Sequence, residues 1–153
     1  MRLIDTMIFR YFHAVGLLGE MLRLAKIAIT TAVRREIKRK WADIAETVEQ
    51  ALADERIALC DFDPNSGPES VLYFKYWHVE GFGEGEAASM AVAFARGYTF
   101  VSHDLEAAEK MRGLGVNVMD WQDLVEELRG GGLISVAQSE EAKRKIQAMM
   151  RGR

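Results

Sequence analysis

The chain carries one cysteine and two prolines in 153 residues, and no apolar run long enough to cross a bilayer. The lone Cys60 excludes an internal disulfide and fits a reducing compartment. Both prolines, Pro64 and Pro68, fall in one short stretch, which marks a turn or loop over Asp63–Pro68. Neither sign of charge dominates. A net charge of −3 leaves no overall positive field to draw the chain onto nucleic acid, which argues against a DNA-coating protein but not against a nuclease with local contacts. Asp5 breaks the first apolar run, so no signal peptide is evident. A cytoplasmic protein with no membrane contact is expected. What remains is an ordinary globular composition, 49% hydrophobic and 28% charged, on a length that suits a single domain over residues 1–153.

Short β-branched or apolar runs at Arg2–Asp5, Ile27–Thr30, Ile57–Phe62, Tyr98–Ser102 and Val116–Met119 read as strands. Helical patterns separate them, at Phe9–Leu18, Glu20–Lys26, Ala32–Lys40, Trp41–Glu55, Glu84–Arg96, Leu105–Arg112 and Trp121–Leu128. A further helix is expected over Ser139–Met150, after the Gly130-Gly131-Gly132 stop. Val71–Val79 is aromatic-rich and fits either a short helix or an edge segment. The alternation predicts an α/β class chain, a three-layer α/β/α domain with a central, mostly parallel sheet. Such sheets place their chemistry at the carboxyl ends of the strands, so Asp5 and Asp104, which both end strand candidates, belong on one rim.

Two more carboxylates lean toward that rim. Glu36 lies at the edge of the apolar face formed by Val33 and Ile37, and Glu86 opens a helix whose inner face includes Met90 and Phe94. Carboxylates crowded together do not all stay ionised without compensation, and a hard divalent cation such as Mg²⁺ or Mn²⁺ supplies it through oxygen ligands. Bound there, it would activate a water and stabilise a phosphate in displacement. Each acid also has a purely structural explanation. Asp5 and Asp104 suit helix N-caps, Glu86 suits the helix dipole, and Glu36 sits four residues before Lys40. The set of four is harder to explain in that way than any member alone.

The ordered pattern Leu3-Ile-Asp5-Thr6, Thr31-Ala-Val-Arg-Arg-Glu36-Ile, Gly83-Glu-Gly-Glu86-Ala and Val101-Ser-His-Asp104 resembles the PIN-domain family of nucleases, over nearly the whole chain. The Gly-x-Gly-Glu-Ala form resembles a prokaryotic sub-group rich in toxins of the VapBC toxin–antitoxin type. The resemblance implies a PIN-like domain and a Mg²⁺- or Mn²⁺-dependent endoribonuclease, the toxin of a type II pair. Asp5, Glu36, Glu86 and Asp104 would be its catalytic and metal-binding quartet, supported by the Thr6 and Ser102 hydroxyls. It also implies an RNA substrate, an antitoxin partner and a homodimer. The stretch from Asn65 to His78 is longer and more aromatic than the resemblance leads one to expect, which bears on substrate choice.

Glu84 competes with Glu86 for the third position, and Glu106 is either an outer acid or a solvated first-turn residue. His13, His78 and His103 have no zinc-type spacing, and Cys60 adds no partner to them. His103 is placed either to contact phosphate or to sit on the rim without a role. The basic run around Glu36 offers Arg34, Arg35, Lys38 and Arg39 as an RNA backbone grip, against the alternative of a solvated helix face. Phe9, Tyr11, Phe12, Val15 and Leu18 either cover the core or line a groove for an antitoxin helix or second protomer. A PIN-like module that binds RNA or protein without cutting is the main alternative. A phosphoacceptor receiver domain is disfavoured, since Asp5 has no adjacent acid and Val116–Met119 ends in no lysine.

Overall fold

The computed structural model describes residues 1–65 and 67–152. Five short strands form one parallel sheet: β1 (Arg2–Ile4), β2 (Ile27–Thr30), β3 (Ala58–Cys60), β4 (Thr99–Val101) and β5 (Val118–Met119), in the spatial order β3-β2-β1-β4-β5. The chain therefore builds outward from β1 to β3 and then returns to the other side of β1 with β4. Most expected strands lose their terminal residues, which serve as caps and connections instead. Alternation along each strand divides the core. Ile4, Ile29 and Val101 face one layer of buried side chains, while Leu3, Ala28 and Phe100 face the other.

The first layer is made by α1 (Thr6–Ala14), α2 (Leu18–Met21), α3 (Thr31–Lys40), α4 (Ala42–Ala53), α8 (Trp121–Gly130) and α9 (Val136–Arg151). Phe9, Tyr11, Phe12 and Leu18 are buried in this layer, so they form core and not a docking groove. The opposite layer contains α6 (Glu84–Arg96), α7 (Leu105–Gly113) and part of the segment between β3 and α6. Gly85 and every residue from Ala87 to Ala93 in α6 are buried. Small residues dominate that run, which lets α6 lie between the sheet, α3 and α5 (Gly67–Phe74). Gly97 ends α6 in the left-handed conformation, φ 69°, which costs glycine nothing. Phe94 departs from expectation: it is 42% exposed while Met90 is fully buried.

The ambiguous Val71–Val79 segment is helical throughout. It completes α5 and continues as a π-helical turn over Lys75–Val79. The C-terminal helix begins three residues before the expected Ser139. Ser135 and Gln138 form a capping box at its start, each side chain accepting from the other's backbone N–H. Among the described residues no helix is long and apolar enough to cross a membrane.

Candidate active site

The order of the strands places the acids. Asp5 directly follows β1 and Asp104 lies three residues beyond the end of β4, and these neighbouring strands flank the point where the winding of the sheet reverses. In open parallel sheets the crevice for ligands lies outside the carboxyl ends of the strands at that point. Here it is a cavity of about 170 Å³ lined by Asp5, Thr6, Glu36, Glu86, His103 and Asp104, together with Met7 and Gly83. A larger cavity, about 560 Å³, opens at the amino ends of the strands around Met1, Lys26, Arg56 and Ile57. Size alone would favour the larger one. Strand polarity and the convergence of acids favour the smaller.

Both structural readings of the strand-end acids hold, and neither exhausts its side chain. Asp5 Oδ1 accepts from the Thr6 N–H at 2.8 Å while its Oδ2 accepts from the Ser102 hydroxyl at 3.3 Å. Asp104 Oδ1 caps α7 through the N–H groups of Glu106 and Ala107. Ser102 is the junction of the cluster. Its hydroxyl lies 3.3 Å from Asp5 and 3.5 Å from Glu86 Oε2, and its oxygen accepts from the Asp104 N–H at 3.1 Å. One hydroxyl has one proton to donate, so Asp5 and Glu86 compete for it.

Glu86 shares the cavity with Asp5 and Asp104 and feels the charge of both. Burial, followed by the negative charges of Asp5 and Asp104, pushes its carboxyl up to about 9. Burial also raises Asp5, to about 6, with the charge of Glu36 adding to it and the Thr6 N–H opposing it. The pair titrates as a unit that keeps a proton well above the usual carboxylate range. Neither Asp5, Glu86 nor Asp104 forms an ion pair with a lysine or arginine among the described residues.

Glu36 stands at the edge of this cluster. Its Oε2 accepts from Thr6 Oγ1 at 3.2 Å and its Oε1 from Lys40 Nζ at 2.7 Å, so the i,i+4 pairing with Lys40 is also real. Gly85 makes this approach feasible. A Cβ there would fall deep inside contact distance of Glu36 Oε2 and 2.9 Å from Thr6 Oγ1. The value of the Gly-x-Gly-Glu sequence thus lies in its second glycine, a role the linear pattern does not disclose. Glu84 is not a member of the cluster. It pairs with Arg35 at 2.9 Å, and its charge helps burial to raise the Tyr73 hydroxyl. Glu106 is exposed. His103 rests edge-on against Tyr11 at 5.5 Å, and burial lowers its pKa, so it offers the cavity a neutral ring.

The basic run divides. Arg34 is held by Glu49 in a bidentate pair at 2.8 and 2.6 Å, and Lys38 meets the same carboxylate at 3.3 Å. Through Glu49 these two join α3 to α4. Arg35, paired with Glu84, and Arg39, exposed, border a second cavity beside the acids.

The four acids are not drawn into a ready cage. Among the described residues no group of three or more His, Cys, Asp or Glu side chains is disposed to hold a metal ion as folded. The donor set nevertheless fits one. It is all oxygen, with Asp5 buried and Glu36, Glu86 and Asp104 half-buried, and it has no cationic partner at its centre, which suits a hard cation.

No family model and no curated protein matches the sequence. Solved structures do resemble it. The protein PAE2754 of Pyrobaculum aerophilum aligns over 84% of this chain and 95% of its own, with 15% identity and a TM-score of 0.54. VapBC2 from Rickettsia felis, bound to a DNA fragment from its promoter, aligns over 78% of this chain and 98% of that one, with 17% identity and a TM-score of 0.50. FitAB bound to the IR36 DNA fragment aligns over 79% and 95%, with 17% identity and a TM-score of 0.50. At these identities the likeness establishes the fold: the chain has the PIN-like α/β/α architecture that its sequence resembles.

Proposed function

We propose that the chain is a divalent-metal-dependent endoribonuclease, and that Asp5, Glu86 and Asp104, with Glu36 at the rim, hold Mg²⁺ or Mn²⁺. The observation that carries this reading is the uncompensated group of carboxylates at the winding reversal of a parallel sheet. When bound there, the ion would lower the pKa of a water and neutralise charge on the phosphate undergoing displacement. The chain's own residues set the stage for it. Backbone N–H groups fix Oδ1 of Asp5 and of Asp104, which orients both carboxyls, and the second oxygen of Asp5 accepts from the Ser102 hydroxyl. Ser102 bridges Asp5 and Glu86. Thr6 and Lys40 hold Glu36 at the cavity mouth. Burial removes competing water from Asp5.

The toxin role belongs to the same proposal, with a small antitoxin as partner and a homodimer as the assembly. The solved neighbours include VapBC2 and FitAB, which supports that reading. A catalytically silent RNA- or protein-binding module is a second reading, favoured by the one observation that the acids are not caged as folded. Incubation of purified protein with structured and single-stranded RNAs in Mg²⁺, Mn²⁺ or EDTA separates the two. Cleavage that needs the metal and collapses in Asp5→Asn supports the nuclease. No cleavage, or cleavage indifferent to Asp5→Asn, sinks it.

A further inference from the structure

We infer that the cavity between α3 and the π-helical turn is a base-stacking subsite for single-stranded nucleic acid, with Trp77 as its platform and Arg39 as its phosphate contact. The inference rests on the nuclease reading of the neighbouring acids. The cavity is about 470 Å³ and is lined by Arg35, Glu36, Arg39, Trp77 and Glu84. That lies within the roughly 300–1,000 Å³ of small-ligand pockets. Glu36 lines both this cavity and the acidic one, so the two adjoin on either side of its side chain.

Its chemistry suits an unpaired nucleotide. Trp77 is half-buried and its ring is fixed from two sides: Tyr73 meets it edge-on at 5.3 Å, and His78 lies at 4.1 Å and 31°. Tyr73 is buried and lies close enough to Glu84 to feel its charge, and Glu84 holds Arg35. The platform is therefore preorganised by a chain of contacts running from the π-helical turn to α3. Its position depends on that turn, because a π-turn shifts the direction of every side chain after it. Arg39 completes the site. It is the cation of the basic run that has no carboxylate partner among the described residues. An aromatic face beside an unpaired arginine is the combination that stacks a base and grips its phosphate. Bases within a duplex are already stacked, so the site selects single strands.

The test measures binding of a fluorescein-labelled single-stranded RNA decamer by anisotropy in EDTA, where no metal-dependent step intervenes. Trp77→Ala is expected to weaken binding by about five- to a hundred-fold, the range for losing one base stack, with Trp77→Phe restoring most of it. Arg39→Ala should weaken all single strands alike and reduce the salt slope by about one. A single abasic position walked along the decamer should reproduce the Trp77→Ala loss at one register on wild-type protein. It should cost nothing further on the variant. The abasic walk keeps the inference testable even if Trp77→Ala fails to fold. The inference is overturned if wild-type protein binds no single strand, or binds duplex equally well. It is also overturned if no abasic register matters or Trp77→Ala binds as wild type does. Trp77-dependent binding without metal-dependent cleavage would end the nuclease reading and leave the subsite standing. Cleavage without Trp77 dependence would do the reverse.

Discussion

The two charged regions of the molecule are handled in opposite ways. On α3, Arg34 and Lys38 share Glu49, Arg35 takes Glu84 and Lys40 takes Glu36, so most of a strongly basic run is neutralised by its own surroundings. At the end of β1 and β4, Asp5, Glu86 and Asp104 face one another with hydroxyls and backbone N–H groups but no cation among the described residues. Folding settles the first region and leaves the second in tension. Charge density in the sequence would have pointed to the basic run, while uncompensated charge in the fold points to the acids.

Removing charge from the acidic cluster should therefore harm activity and help the fold. Glu86→Gln and Asp5→Asn are expected to lower metal-dependent RNA cleavage by at least about 100-fold, the scale of losing one charge-stabilising group at a reaction centre. The same Glu86→Gln protein, in EDTA at neutral pH, should melt at a higher temperature than wild type, because Gln spares the fold the cost of holding a proton on Glu86 at a pH where the unfolded chain is ionised. Single-turnover cleavage and calorimetry read the two effects. A variant that loses activity together with stability would erase the contrast between the regions.

Gly85→Ala tests the closeness of the cluster. The added methyl would collide with Glu36 and Thr6, whereas Gly83 has nothing within 4 Å of the corresponding position. Overpacking of this kind costs about 1–3 kcal/mol, against less than about 1 kcal/mol for Gly83→Ala at the helix N-cap. Denaturant midpoints of the two variants compare them directly. Equal midpoints would mean that Glu36 moves aside freely and is not held at the site.

The pH dependence follows from the raised carboxyls. Asp5 at about 6 and Glu86 at about 9 both lie above their unfolded values near 4, so the folded protein binds more protons than the unfolded chain across that window. Stability is then fullest in mild acid and declines as pH rises from about 4 through these folded values. A divalent cation should offset the loss, so millimolar Mg²⁺ is expected to raise the melting temperature more at about pH 8 than at about pH 5. The gain amounts to about 2.7 kcal/mol at a hundred-fold excess over Kd. Differential scanning fluorimetry across the range measures it. A Mg²⁺ shift that does not grow with pH would break the link between the strained carboxyls and the metal.

The sequence carried more of the acidic site than of its surroundings, for physical reasons. A carboxylate closing a short buried strand is a local signal, so Asp5 and Asp104 were legible along with their capping roles. Glu36 and Glu86 were legible through helical periodicity, although Phe94, placed on the same inner face as Met90, turns outward. The helix over Val71–Val79 was not legible, because a short aromatic run fits helix and edge strand alike. Its packing against α6 decides the matter. Ser135-x-x-Gln138 did announce the earlier start of α9, and a capping-box reading would have found it. No local signal reveals that Glu49 lies beside Arg34, since the pair joins two helices across 15 residues of sequence.

That last pair supplies the smallest effect and a direct control. Arg34 sits in the same basic run as Arg39, and by charge alone the two should contribute equally to RNA binding. The structure separates them: the Arg34 guanidinium is occupied by Glu49, while Arg39 is exposed at the edge of the second cavity. Arg34→Ala should cost no more than about 1 kcal/mol of stability, as partly exposed ion pairs do. Its salt slope for single-stranded RNA should match that of wild type, in contrast to the drop of about one for Arg39→Ala. Titrations at several salt concentrations distinguish the two arginines. If Arg34→Ala also lowers the slope, the Glu49 pair opens to ligand, and the basic face is not settled by folding in the way the acidic cluster is left unsettled.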